Sequence, residues 1–142
     1  VHTDLSAPYS PPLRAAIADA ARAAGIPLLL RGTYLCADGP RYETPAEVRL
    51  FAAWGADVVG MTGAPEAVLC REAGIHYAAV ALVTNPGAGL VDTPVRHEEV
   101  EAAMAAAAPR LQALFAETLA RLDPETLGPI GPRESIWDEA AP

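Results

Sequence analysis

The chain has 142 residues, 51% of them hydrophobic and 20% charged, with a formal net charge of −8. That is enough for about one domain with a real core. The acidic balance, with no run of lysine or arginine against it, argues against a nucleic-acid backbone as partner. No stretch approaches the roughly 20 apolar residues that span a bilayer, and no basic region followed by an apolar run marks a leader. A soluble, cytoplasmic protein is expected.

In chain order, a first helix is expected to start at Ser10, with Pro11 and Pro12 in its first turn and Gly25 just past its end. Leu13, Ile17, Ala20 and Ala24 form its predicted buried stripe. Pro27 to Cys36 reads as a strand, broken by Gly39-Pro40. Thr44 is a good N-cap, Pro45 suits the first helical position, and Glu47 completes a Thr-x-x-Glu capping box. The helix that follows is expected to carry Val48, Phe51 and Trp54 inward and to end at Gly55.

Ala56 to Met61 has the continuous apolar character of a strand buried on both faces. Pro65 to Ala73 reads as a short helix closed by Gly74, and His76 to Thr84 as a further strand. A Gly- and Pro-containing loop, Asn85 to Val95, leads to a long helix from about Arg96 to Leu122. Val100, Met104, Ala107, Leu111, Leu114 and Leu122 fall near one face of it, and Pro109 is predicted to kink or split it. From Asp123 the composition turns to proline, glycine and charge, so residues 123–142 are expected to be an extended or disordered tail after a single domain over 1–122. Cys36 and Cys70 show no CxxC or metal-ligand spacing and are expected to be free thiols.

Alternating strands and helices predict an α/β fold, with a mixed, largely parallel sheet flanked by helices. Ligands bind beyond the carboxyl ends of the strands in such sheets. Glu43, Met61-Thr62 and Asn85 all sit just past expected strand ends. Tyr42 and Glu43 place an aromatic ring and a carboxylate beside a helix start, a pair that can stack on a flat heterocycle and bind its N–H edge. The competing reading is a surface loop in which Glu43 complements the helix N-terminus. Asn85 is equally a turn former before Pro86, Met61 a core filler and Thr62 a helix cap. Arg41 suits either a phosphate or Glu47. His97 fits a solvated helix start, His76 a structural strand position, and His2 the chain end. No Ser-His-Asp order, metal cluster or Walker loop is present.

Several stretches, taken together, resemble the purine nucleoside phosphorylase family of trimeric type, which includes the methylthioadenosine and methylthioinosine phosphorylases. They are His2-Thr3-Asp4-Leu5-Ser6-Ala7-Pro8-Tyr9, Gly32-Thr33-Tyr34, Gly39-Pro40-Arg41-Tyr42-Glu43-Thr44, Gly55 to Thr62, Pro65-Glu66, Thr84-Asn85 and His97-Glu98-Glu99-Val100. They run in family order across roughly Val1 to Leu122. The resemblance implies reversible phosphorolysis of a purine nucleoside, with inorganic phosphate as co-substrate and no cofactor or metal.

By the same resemblance Tyr42 packs on the base, Glu43 accepts from its N1–H edge, and Asn85 bonds N7 and O6. Met61 and Tyr34 match positions lining the ribose. Thr62 matches a phosphate-binding hydroxyl. His97 matches the partner of the 5′-hydroxyl, and His2 a position that reaches a neighbouring subunit's 5′ pocket. Relatives specific for adenine nucleosides carry serine and aspartate where this chain has Glu43 and Asn85, so a 6-oxopurine is implied. The 5′ group stays open between a hydroxyl, as in inosine and guanosine, and a methylthio group. A homotrimer is implied, as is an amino-terminal half bearing a Gly-rich phosphate loop that these 142 residues do not contain. Without that half, a non-catalytic purine-binding segment is the competing reading.

Overall fold

The computed structural model describes residues 3–93 and 96–130. Helix α1 runs from Pro11 to Ala23, and the Ser10 hydroxyl accepts from the Leu13 amide at its start. After Gly25 the chain passes through residues 26–33 in an extended course to strand β1, Tyr34–Cys36. Helix α2, Pro45–Ala53, opens on the expected capping box, with the Thr44 and Glu47 side chains each accepting from the other's backbone N–H. Gly55, just past its end, takes a φ of 86°, a left-handed conformation in which glycine avoids a Cβ clash. Strand β2, Val58–Gly60, leads into helix α3, Gly63–Glu72. An extended segment and a loop then precede the long helix α4, His97–Arg121, and the short helix α5, Pro124–Leu127.

β1 and β2 pair in parallel, with Tyr34 opposite Val58, Leu35 opposite Val59 and Cys36 opposite Gly60. The ladder continues one step further, where the Ala37 amide donates to the Gly60 carbonyl at 2.9 Å. This is an α/β arrangement, helix-rich, with a small parallel sheet.

The core lies between α1 and α4. Ile17, Ala20 and Ala21 pack around Leu114, and Leu13, Ile26, Leu28, Ala78 and Val80 close over them half-buried. The small Ala20 and Ala21 let the two helices approach closely. Burying a leucine such as Leu114 stabilises the fold by about 1.5–3 kcal/mol. Thr118, also buried, donates its hydroxyl proton to the Leu114 carbonyl at 2.7 Å, one turn back along α4.

Several sequence expectations are corrected. The strand expected over Pro27–Cys36 pairs only at Tyr34–Cys36, and that over Ala56–Met61 only at Val58–Gly60. His76–Thr84 forms no ladder among the described residues. Strand character needs a partner, which the local pattern cannot supply. α3 begins two residues earlier than expected, at Gly63. Of the kink or split expected at Pro109, the split is ruled out, since α4 is one helix through that residue. The proline removes one backbone bond, while the buried Ala107 and Leu114 hold α4 in place on either side of it. Ala24 is exposed and Ala21 takes its place in the stripe. Trp54 and Met104 face outward, 68% and 55% exposed. Residues 124–127 of the expected tail are helical, capped by the Asp123 side chain. Residues 131–142 lie outside the described part.

Candidate functional site

The loops that follow β1 and β2 leave the same end of the sheet. Met61, the first residue after β2, lays its side chain against Gly39 of the other loop: a Cβ built on Gly39 would stand 3.0 Å from Met61 Sδ. The Gly39–Pro40 peptide of that loop is cis. A third loop, after Asn85, rests on the first turn of α2. There Gly87 touches the Val48 side chain and Gly89 the ring of Pro45. Three carboxyl-terminal loops are thereby gathered around the start of α2.

Arg41 braces the first loop. Its guanidinium makes two bonds to the Glu47 carboxylate, at 2.9 and 2.7 Å, and one to the Tyr42 carbonyl. Glu47 also accepts from the Thr44 amide and hydroxyl. The Arg41 bonds, followed by those from Thr44, hold the Glu47 carboxyl down at about 2. Of the two roles open to Arg41, the structure therefore displays the pairing with Glu47.

Glu43 is half-buried and lines a cavity of about 340 Å³, together with Cys36, Asp38, Arg41, Glu47, Phe51 and Trp54. That volume is at the lower end of the ~300–1,000 Å³ of small-molecule sites. Tyr42, Met61, Thr62 and Asn85 do not line it. Phe51 and Trp54 are the residues that sequence reasoning missed as possible ligand contacts. Their signal was present, since Glu47, Phe51 and Trp54 follow i, i+4, i+7 spacing on one helix face. Phe51 and Trp54 were instead read, with Val48, as facing the core.

The other expected residues are distributed as follows. Tyr42 is 45% exposed. Asn85 closes a local turn: its Oδ1 accepts from the Thr84 hydroxyl and its amide donates to the Pro86 carbonyl, both at 2.8 Å. One amide proton and one oxygen lone pair are left over. Thr62 is exposed at the N-cap of α3 and its hydroxyl makes no capping bond. The Tyr34 ring lies across Gly60 and Gly63, and its hydroxyl accepts from the Gly63 amide at 3.4 Å. His97 begins α4 and meets Glu101 at 3.3 Å on an exposed surface. His2 lies outside the described residues. Among those residues no group of three or more His, Cys, Asp or Glu side chains could hold a metal ion.

A family profile described as "Phosphorylase superfamily" matches residues 1–120. The chain belongs to the phosphorylase superfamily. It is 48% identical over 100 residues to a probable 6-oxopurine nucleoside phosphorylase of Moorella thermoacetica, which covers 70% of this chain and 38% of that relative. Over 125 residues it is 41% identical to a probable S-methyl-5′-thioinosine phosphorylase of Thermodesulfovibrio yellowstonii, covering 88% of this chain and 47% of that one. A mutant adenosine/methylthioadenosine phosphorylase of Schistosoma mansoni, solved in complex with adenine, matches with a TM-score of 0.81 at 26% identity. That match covers 84% of this chain and 48% of the other. This phosphorylase-superfamily chain thus spans less than half the length of these relatives, and its α/β fold is the one that the sequence implied.

Proposed function

We propose that this chain is the base- and ribose-binding part of a purine nucleoside phosphorylase that cleaves 6-oxopurine nucleosides, such as inosine and guanosine, with inorganic phosphate. The observation that carries the reading is the half-buried Glu43 on the loop beyond β1, at the sheet end where two further loops converge. A 6-oxopurine presents an N1–H donor to a carboxylate. A 6-aminopurine presents a bare acceptor, which a carboxylate repels.

Phosphorolysis passes through an oxocarbenium-like sugar, so the site must neutralise the departing base and hold an anionic nucleophile in line. The spare amide proton and lone pair of Asn85 suit N7 and O6 of that base. In this reading Tyr42 stacks on the base, Met61 and Tyr34 wall the ribose, and Thr62 helps to hold the phosphate at the start of α3. His97 meets the 5′-hydroxyl, and His2 reaches a neighbouring subunit of a homotrimer in the cytoplasm. One threonine hydroxyl is too little for a phosphate dianion, which needs cationic partners or several N–H groups. The phosphate-binding half therefore comes from the rest of the enzyme, and the isolated chain turns nothing over.

Calorimetric titration of the chain with hypoxanthine, guanine and adenine tests the reading. Binding of the two 6-oxopurines, lost in Glu43→Ser, is expected; equal binding of adenine, or none of any base, overturns it. A 5′-methylthio substrate is the second reading, favoured by the name of the Thermodesulfovibrio yellowstonii relative. Turnover of inosine against methylthioinosine by the full-length enzyme separates the two.

A further inference from the structure

Two carboxylates compete for one guanidinium in the loop after β1. Glu43 and Glu47 follow Arg41 by two and six residues, and all three residues line the same cavity. Arg41 goes to Glu47, its two terminal nitrogens donating to the two oxygens of that carboxylate at 2.9 and 2.7 Å. Glu47 is prepared for this role, because the Thr44 amide and hydroxyl already fix one of its oxygens. The pair therefore forms with little further loss of side-chain freedom, in the two-pronged geometry that suits a guanidinium. Glu43 is half-buried and, among the described residues, enters no ion pair. Its charge still reaches Arg41, whose pKa is raised first by the bonds and charge of Glu47 and then by Glu43.

We propose that Glu47 is a positioning residue that holds Arg41 away from Glu43, leaving the Glu43 carboxylate open to a donor edge of the ligand. That the ligand is a 6-oxopurine rests on the functional reading above. A carboxylate clasped by a guanidinium fork has both oxygens occupied. An incoming N1–H would then have to displace the fork before it could bind, which costs affinity. The cap of α2 thus serves the site as well as the helix: the residue that closes the capping box also takes up the cation nearest to Glu43 in sequence.

The test uses the 142-residue chain and two readouts. Glu47→Gln keeps a side chain that suits the capping box but loses the charge that holds Arg41. In calorimetric titration its affinity for hypoxanthine and guanine should fall about fivefold. Adding Arg41→Gln should bring the affinity back to within about twofold of the parent, a rescue that a merely damaged cap would not show. The second readout needs no purine. In nuclear magnetic resonance spectra of the parent, the Arg41 Nε–H signal should be nearly indifferent to Glu43→Gln. In Glu47→Gln the same signal should move clearly when Glu43→Gln is added, because the guanidinium then loses its new partner. Unchanged affinity in Glu47→Gln, a loss that Arg41→Gln leaves or deepens, or an Arg41 signal in Glu47→Gln blind to Glu43→Gln would each overturn the proposal. A parent chain that binds no 6-oxopurine sinks the functional reading, and the Arg41 signal still decides whether Glu47 keeps that residue from Glu43.

Discussion

The Tyr77 hydroxyl donates a 2.5 Å hydrogen bond to Glu66, tying the extended segment after α3 back onto the first turn of that helix. The Tyr9 ring stacks on Tyr77 at 5.9 Å, and the Ser10 amide donates to the Tyr77 carbonyl. Burial first, and the bond to the Glu66 carboxylate second, push the Tyr77 pKa up. A folded-state pKa above the unfolded value adds stability below about pH 10 that is lost as pH rises through the raised value. Tyr77 should therefore ionise well above the ordinary range in an ultraviolet absorbance titration, and Tyr9, raised by burial, should also ionise late. Tyr77→Phe should remove the Tyr77 step and cost about 0.5–1.5 kcal/mol. Four ordinary titrations would contradict the pairing.

A second prediction concerns the cap of α2. Glu47 is held at about 2 by Arg41 and Thr44. A depressed carboxyl contributes stability that is present above its ordinary value and lost as pH falls through the folded one. The window here runs from 4.5 down to about 2. Glu47→Gln should thus melt lower than the parent near neutral pH, and the gap should close on titration to about pH 2. Thr44→Ala should cost about 1 kcal/mol at neutral pH through the lost cap. Melting curves by circular dichroism check both, and a gap that persists in acid would rule out the ion pair as its source.

The core makes a third. Leu114 is 1% exposed at the centre of the α1–α4 contact, whereas Leu119, a little further along α4, is 72% exposed. Leu114→Ala should cost about 2–5 kcal/mol, from lost transfer energy and the cavity left behind. Leu119→Ala should stay within about 0.5 kcal/mol. Equal effects in denaturant unfolding would place the core elsewhere.

What the sequence disclosed follows the range of the interactions. The Ser10 cap, the Thr44–Glu47 box and the stop at Gly55 are set within a few residues, and all three form as expected. Strands are settled by partners distant in the chain, so equally apolar stretches pair at Val58–Gly60 and stay unpaired over Ala78–Val83. α2 shows the same division. Its ends were legible, but which face meets the core depends on α2's neighbours, and Trp54 turns out to border a cavity. In the candidate site, the gathering of loops beyond β1 and β2 could be inferred from topology. The pairing of Arg41 with Glu47 and the turn of Asn85 before Pro86 were each one of two local options in the sequence, and both form in the structure.

The contact of Tyr34 with Gly60 supports a last prediction. A Cβ on Gly60 would stand 2.0 Å from the Tyr34 hydroxyl oxygen and 2.6 Å from the ring carbon that bears it, while one on Gly63 would meet the same ring at 2.9 Å. The ring fits only because both positions lack a side chain. Gly60→Ala should force it away and break its bond with the Gly63 amide, at a cost of about 1–3 kcal/mol. Tyr34→Ala removes the obstacle, so adding Gly60→Ala to it should cost far less, a coupling that a double-mutant cycle measures directly. Additive losses would mean that the ring is not fixed by these glycines. If the ring is fixed as described and walls the ribose as proposed, Gly60→Ala in the full-length enzyme should weaken nucleoside binding more than binding of the free base.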